Sequence, residues 1–350
     1  MNVHTFFLGG SSPDGFRSHF GDIVNNTDYH TYIIKGGPGT GKSTLMKKLA
    51  AEFDEDKEIY LCSSDPNSYD AVVLKEHKIA VVDGTAPHVF EPEYAGAVQE
   101  IFNLGTCWDS SFLKENKKEI MLAQEGYSRH HIRCRRYISA VSSVLADTMQ
   151  IASDSVDYRT INGFINRLAK KVLPAKSTGE GRILFKQMSA IGPLGYKTLI
   201  PENDVIYLLN DCNFAAADYF LRSFAELVTL KGLDAEISEC TLMKDSYFEH
   251  MRIPSLGISF ISANPVNKIQ LENKKPVSLA RFYDKDAISA KKNRLKFNMS
   301  AVCELTEEAV SCLKSAKTAH DRLEEFYIKA VDFRKAEKLL KELIRTIRSE

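Results

Sequence analysis

Nine consecutive residues, Gly36-Gly37-Pro38-Gly39-Thr40-Gly41-Lys42-Ser43-Thr44, fill every required position of the pattern G-x-x-x-x-G-K-[ST]. The chemistry this spacing suits is the holding of a polyphosphate. Glycines let the backbone take conformations closed to residues with a Cβ, so that successive N–H groups turn inward around an anion. The N-terminus of a following helix adds partial positive charge. Within that cradle Lys42 is placed to reach the β- and γ-phosphates as a point charge, and the Ser43 hydroxyl to ligate Mg²⁺.

Other residues offer the rest of such a site. The apolar run Ile79-Ala80-Val81-Val82 ends in Asp83, the pattern that sets a carboxylate beside the phosphates to hold a Mg²⁺ shell. The competing reading of Asp83 is an ordinary turn residue in Asp83-Gly84-Thr85. The run Glu58 to Cys62 leads into Ser63-Ser64-Asp65-Pro66, so Asp65 is a candidate to orient water or a substrate hydroxyl, with an Asx turn as the alternative. His88 is a candidate phosphate sensor or proton carrier, or a locally packed residue. Arg129, Arg133 and Arg136 share a helical face beside His130 and His131. They read as a source of a phosphate-stabilising arginine or an anionic-partner surface, or else as a solvated face. The turn-rich segment Gly9 to Gly15 is by itself weak evidence for a ligand loop.

The elements that must position these residues are legible as patterns. Tyr32-Ile33-Ile34 before the glycine-rich loop reads as a buried strand, and Leu45, Met46, Leu49, Ala50 and Phe53 after it recur at helical spacing. Toward the C-terminus, Leu305, Ala309, Leu313, Ala316, His320, Leu323 and Tyr327 share one helical face. A second run carries Ala336, Leu339, Leu340, Leu343 and Ile347. Such stripes predict core packing.

Lys plus Arg and Asp plus Glu both number 46, so no global field favours nucleic acid or an anionic membrane, and only a local basic patch stays open. No apolar run approaches the ~20 residues that span a bilayer, and the N-terminal residues lack signal-peptide character. Seven scattered cysteines without a C-x-x-C pair point to a reduced cytoplasm with neither disulfides nor a zinc site.

At 350 residues the chain is long for one core, and it carries signs of a repeat. Tyr32-Ile33-Ile34 has a counterpart in Tyr207-Leu208-Leu209, a displacement of 175 from 32 to 207. Pro13-Asp14-Gly15-Phe16 matches Pro193-Leu194-Gly195-Tyr196, and Glu58-Ile59 with Cys62 matches Glu236-Ile237 with Cys240. The expected architecture is α/β: two tandem domains of the phosphate-loop type, with parallel sheets flanked by helices, over residues 1–176 and 177–350. The join is placed near Pro174 to Gly181. In the second loop, Asn210 to Asp218, Ala217 stands for Lys42 and Asp218 for Ser43. Acid there would repel a phosphate, so the second half is expected not to bind nucleotide through it.

With those residues in place, the chain resembles a family of uncharacterised bacterial P-loop ATPase proteins, common in spore-forming Firmicutes and built from two tandem P-loop domains. The resemblance covers nearly the full length. It rests on Phe7-Leu8-Gly9-Gly10 with Pro13 to Phe16, Ile34 to Thr44, Cys62 to Pro66, Asp83 to His88, and on His320-Asp321, Phe326-Tyr327 and Asp332-Phe333. Loss of the second loop departs from that family's pattern. The resemblance implies ATP binding without naming a substrate.

The leading expectation is an ATPase that hydrolyses MgATP in its first half, with the second as a regulatory or scaffolding lobe. A small-molecule or nucleotide kinase and a non-enzymatic nucleotide switch are the alternatives. An unidentified protein partner or a small-molecule acceptor is open, as are base preference and oligomeric state.

Overall fold

The computed structural model describes residues 2–86, 89–175 and 179–349. His88 and the boundary expected between residues 176 and 177 fall outside the described residues.

Short apolar runs rich in β-branched and aromatic residues form strands. The first half begins with β1 (Val3–Phe7), the hairpin β2 (Gly9–Ser12) and β3 (Gly15–Ser18), the short helix α1 (Phe20–Val24), β4 (His30–Lys35) and helix α2 (Lys42–Glu52). Then come β5 (Lys57–Leu61), β6 (Tyr69–Leu74), β7 (Ile79–Asp83), β8 (Gln99–Asn103) and helices α3 (Ser110–Glu115), α4 (Lys117–Ser153) and α5 (Tyr158–Val172).

The second half follows with β9 (Ile183–Phe185), the hairpin β10 (Ser189–Gly192) and β11 (Gly195–Thr198), β12 (Val205–Asn210) and helix α6 (Ala215–Leu230). Next are β13 (Ala235–Glu239), β14 (Phe248–Ile253), β15 (Ile258–Ala263), β16 (Lys275–Ser278) and helices α7 (Lys285–Ala290), α8 (Lys292–Ala330) and α9 (Phe333–Ser349).

Two six-stranded sheets result. One has the order β1-β5-β6-β7-β4-β8 and the other, from the corresponding edge, β9-β13-β14-β15-β12-β16. The pairing repeats strand for strand. The expected parallel sheets are corrected to mixed ones, because β6 and β14 run antiparallel to both neighbours. The cause lies in the connections: only residues 75–78 separate β6 from β7, and only 254–257 separate β14 from β15. A parallel neighbour needs a crossover of about a dozen residues or more.

Alternation along the strands divides the core. Ile33, Ala71, Val73, Ala80 and Val82 of the first sheet gather with Ile206, Leu208, Ile261 and Ala263 of the second in one shared cluster. The opposite face of the first sheet, with Tyr32, Ile34, Val72 and Val81, is covered by Leu45, Met46 and Leu49 of α2 and by Leu340, Leu343 and Ile347 of α9. The second sheet is covered by α6 and by Ile161, Ile165 and Leu168 of α5. Each half of the sequence therefore lends its terminal helix to the other half's sheet.

The crossing is fixed by matched backbone contacts. Asp109 N donates to Ala330 O (2.8 Å) and Asp284 N to Ser155 O (2.7 Å); Asp157 N donates to Phe282 O (2.7 Å) and Asp332 N to Cys107 O (2.9 Å). Both members of each pair recur 175 residues on. The same four aspartates cap α3, α7, α5 and α9 by accepting first-turn N–H groups. Helix α4 packs along α8 through Cys134, Ile138 and Val141 against Ala309, Cys312 and Leu313. Of the predicted stripe on α8, Ala309, Leu313, Ala316 and Leu323 are buried, while Leu305, His320 and Tyr327 are half-buried. No helix among the described residues is long and apolar enough to cross a membrane.

Candidate functional site

Buried β4 ends at Lys35, and the chain turns through Gly36–Gly41 into α2. Gly39 (φ +67°) and Gly41 (φ +86°) hold left-handed backbone, which glycine adopts without a Cβ penalty. The N-terminus of α2 has no side-chain cap and no acid in its first turn, so its leading N–H groups are not neutralised locally. Thr40 Oγ1 donates to Gly37 O (2.8 Å) and tightens the loop. Lys42, with 11% of its side chain exposed, folds back over it: Nζ donates to Gly37 O (2.8 Å) and Gly36 O (3.1 Å). Ser43 Oγ accepts from Tyr69 N (2.9 Å).

Strand β7 lies beside β4 with Asp83 opposite Ile34, which carries Asp83 to the loop. Its Oδ2 is 3.6 Å from Lys42 Nζ, while Oδ1 accepts from Thr85 N (2.9 Å) and Thr85 Oγ1 (2.6 Å). The turn reading and the loop-facing reading of Asp83 therefore hold together. Asp65 is used by its own turn, accepting from Asn67 N (3.2 Å) and Ser68 Oγ (2.9 Å). Among the described residues no hydrogen bond or ion pair joins it to Lys42, Ser43 or Asp83.

Sequence reasoning missed Asp70. This buried acid on β6 is pushed up to about 8, first by burial and then by the charge of Asp83, with Cys62 donating to it and Lys42 opposing the shift. The available signal was an acid near the start of the apolar run Tyr69 to Leu74. Burial likewise drives the Cys62 thiol well up, helped by Asp70.

Residues of the second half close over the loop. A Cβ on Gly37 would overlap the Tyr327 ring, and one on Gly39 would lie 2.9 Å from Ile328 and 3.0 Å from Glu324 O. Tyr327 meets Trp108 edge-on at 5.6 Å between centroids. The Trp108 indole N–H is shielded from water and has no hydrogen-bond partner among the described residues. Beside the loop, a cavity of about 300 Å³ is lined by Pro38, Met121, Gln124, Glu125, Leu323 and Tyr327. His320, Asp321 and Glu324 bring ligand atoms within 4.8 Å of one another on α8, and Tyr127 meets His131 edge-on and His320 at a tilt. Burial lowers the pKa of His320, with Lys317 and Lys42 acting in the same direction.

Arg129, Arg133 and Arg136 are exposed on α4, and no described hydrogen bond or ion pair draws them to the loop. The Gly9–Gly15 segment forms the β2–β3 hairpin. A Cβ on Gly9 would collide with Phe16, and Arg17 donates to Met243 O (2.8 Å), so this hairpin serves as a joint between the halves.

In the second half, register places Ser262 opposite Leu209 as Asp83 lies opposite Ile34. Lysine, hydroxyl and strand-end acid are thus replaced by Ala217, Asp218 and Ser262. Asp218 does not face an open cradle: it accepts from Phe248 N (2.8 Å), as Ser43 does from Tyr69 N, and pairs with Arg222 (2.9 Å).

No protein-family model, curated protein or solved structure matches the chain.

Proposed function

We propose that Gly36–Thr44 is a phosphate-binding loop and that the protein binds MgATP in its first half and hydrolyses it there, with α8 and α9 of the second half completing the enclosure. The observation that carries this reading is the local geometry. A buried strand runs through two left-handed glycines into an uncapped helix, with Lys42 inside the loop and Asp83 on the adjoining strand.

The residues present fit the ligand. Lys42 donates to two carbonyls of its own loop and lies 3.6 Å from Asp83 Oδ2, and phosphate oxygens would replace the carbonyls as charged acceptors. The leading N–H groups of α2 are donors available to an anion, and the buried indole N–H of Trp108 has no hydrogen-bond partner among the described residues. Ser43 Oγ has two lone pairs and uses one toward Tyr69 N, leaving the other to ligate Mg²⁺ alongside Asp83, directly or through water. When bound, Mg²⁺ supplies charge neutralisation across the β- and γ-phosphates. Burial and the charge of Asp83 push the Asp70 carboxyl up to about 8, which disfavours a second negative charge beside Asp83. Asp65, in the turn that follows β5, is the acid we assign to orienting the attacking water.

The cavity beside Pro38 favours a second reading, transfer to a small-molecule acceptor, since it joins an apolar wall to the polar ends of Gln124 and Glu125. The fate of γ-labelled phosphate decides. Release to water supports hydrolysis, appearance on a small molecule supports the kinase, and retention on ATP leaves a nucleotide switch.

The two matching sheets fit an internal duplication whose second loop has lost its ligands. Seven free cysteines fit a reducing cytoplasm.

A further inference from the structure

The turn from β12 into α6 stands where the Gly36–Thr44 loop does and shares one of its two positive-φ positions; α6 begins at Ala215, two positions earlier than α2 by the 175-residue offset, so the counterpart of Gly41 is already helical. Gly39 has φ +67°, and Phe214, 175 residues on, has φ +66°. An aromatic residue keeps that conformation only where its surroundings impose it. Phe214 is 3% exposed, with its ring 6.1 Å from that of Tyr247. At the position of Gly36 stands Asp211, 2% exposed, and its carboxylate turns inward. Oδ1 accepts from Asn213 N (2.9 Å) and Oδ2 from Ala217 N (2.9 Å). The Tyr283 hydroxyl lies 3.0 and 2.9 Å from the two oxygens and itself accepts from Ala216 N (2.8 Å).

Ala216 and Ala217 are the counterparts of Gly41 and Lys42, at the head of a helix of 16 residues. Among the described residues the partners of the Asp211 carboxylate are donors, so both of its oxygens act as acceptors, as the oxygens of a bound phosphate would. We propose that Asp211 is a resident anion: its carboxylate occupies the phosphate seat of the second loop, which is a filled anion site rather than an eroded one. The repulsion expected of the second half's acids is thereby replaced by occupancy. The first half lacks such a plug. Its counterpart of Asp211 is Gly36, and its counterpart of Tyr283 is Trp108, whose indole N–H has no partner among the described residues.

The inference concerns the second loop alone and does not depend on what the first loop binds. Its test uses the full-length chain carrying Lys42→Ala, so that the first loop contributes little, with inorganic pyrophosphate and sulfate as probes and the melting temperature as readout. Adding Asp211→Ala is expected to lower Tm by several degrees, and either anion is expected to restore much of the loss, beyond any shift in Lys42→Ala alone. Adding Asp211→Asn instead is expected to lower Tm without recovery, because the amide still fills the seat while setting an NH₂ group among N–H donors. A Tm unchanged by Asp211→Asn would overturn the proposal even if the alanine variant fails to fold. So would a loss in Asp211→Ala that neither anion repairs.

Discussion

The exchange of α5 and α9 between the sheets predicts that damage in one half of the sequence is felt in the other. Leu343 on α9 is buried against Leu45, Met46 and Leu49 of the first sheet's layer, and Leu168 on α5 is its counterpart against Phe220 and Phe224 of the second. Leu343→Ala and Leu168→Ala remove the same atoms from equivalent positions. Each should cost about 2–5 kcal/mol, the range for a buried leucine that leaves a partly relaxed cavity. At about 1.4 kcal/mol per factor of ten, amides that exchange through opening of the affected layer should exchange roughly 30-fold to several thousand-fold faster. Hydrogen exchange read by mass spectrometry on the full chain localises the loss. Leu343→Ala should deprotect β4 and α2 while sparing β12 and α6, and Leu168→Ala should do the reverse. Faster exchange confined to the sequence half that carries the substitution would refute the crossing.

The same packing predicts that a chain ending at residue 175 is unstable or self-associates, because it lacks Leu340, Leu343 and Ile347 and leaves Ile161, Ile165 and Leu168 bare; a folded monomer in sedimentation would contradict it. Asp83→Asn should spare most ATP binding and lower turnover, and parent-like hydrolysis would move Mg²⁺ positioning to Asp65 or another acid. Asp70 holds its proton to about 8 when folded but only to about 4 when unfolded, so its contribution is full at acid pH and lost as pH rises toward 8. Asp70→Asn should therefore raise stability at the alkaline end by on the order of a few kcal/mol and leave it unchanged below the unfolded pKa; urea melts across that range that keep the parent slope would contradict this. Trp108, the single tryptophan, should change its emission on MgATP addition, and a constant spectrum at saturation would remove it from the site.

What was legible in the sequence was local. The run Tyr32 to Ile34, the glycines and Lys42, and the strand ending at Asp83 carry their meaning within a few neighbours, and the structure assembles them on adjacent strands. The direction of β6 was not readable from its side chains, since Ala71 to Leu74 are apolar on both faces; the brevity of residues 75–78 was the clue. The stripe on α9 announced a buried face but not which sheet it would cover, because Leu340, Leu343 and Ile347 fit either layer by size. Asp70 and the inward turn of Asp211 were hidden for a related reason. An acid at a strand edge or in a loop usually faces water, and only the strand beside it or the N–H groups around it show otherwise.

Calorimetric titration of MgATP into the intact protein, beside its Lys42→Ala variant, tests the central claim most directly. The account predicts one nucleotide per chain for the parent and loss of that binding in the variant, since the alanine removes the charge that now rests on Gly36 O and Gly37 O. Undiminished affinity in Lys42→Ala, or no binding by the parent, would contradict the assignment of the Gly36–Thr44 loop.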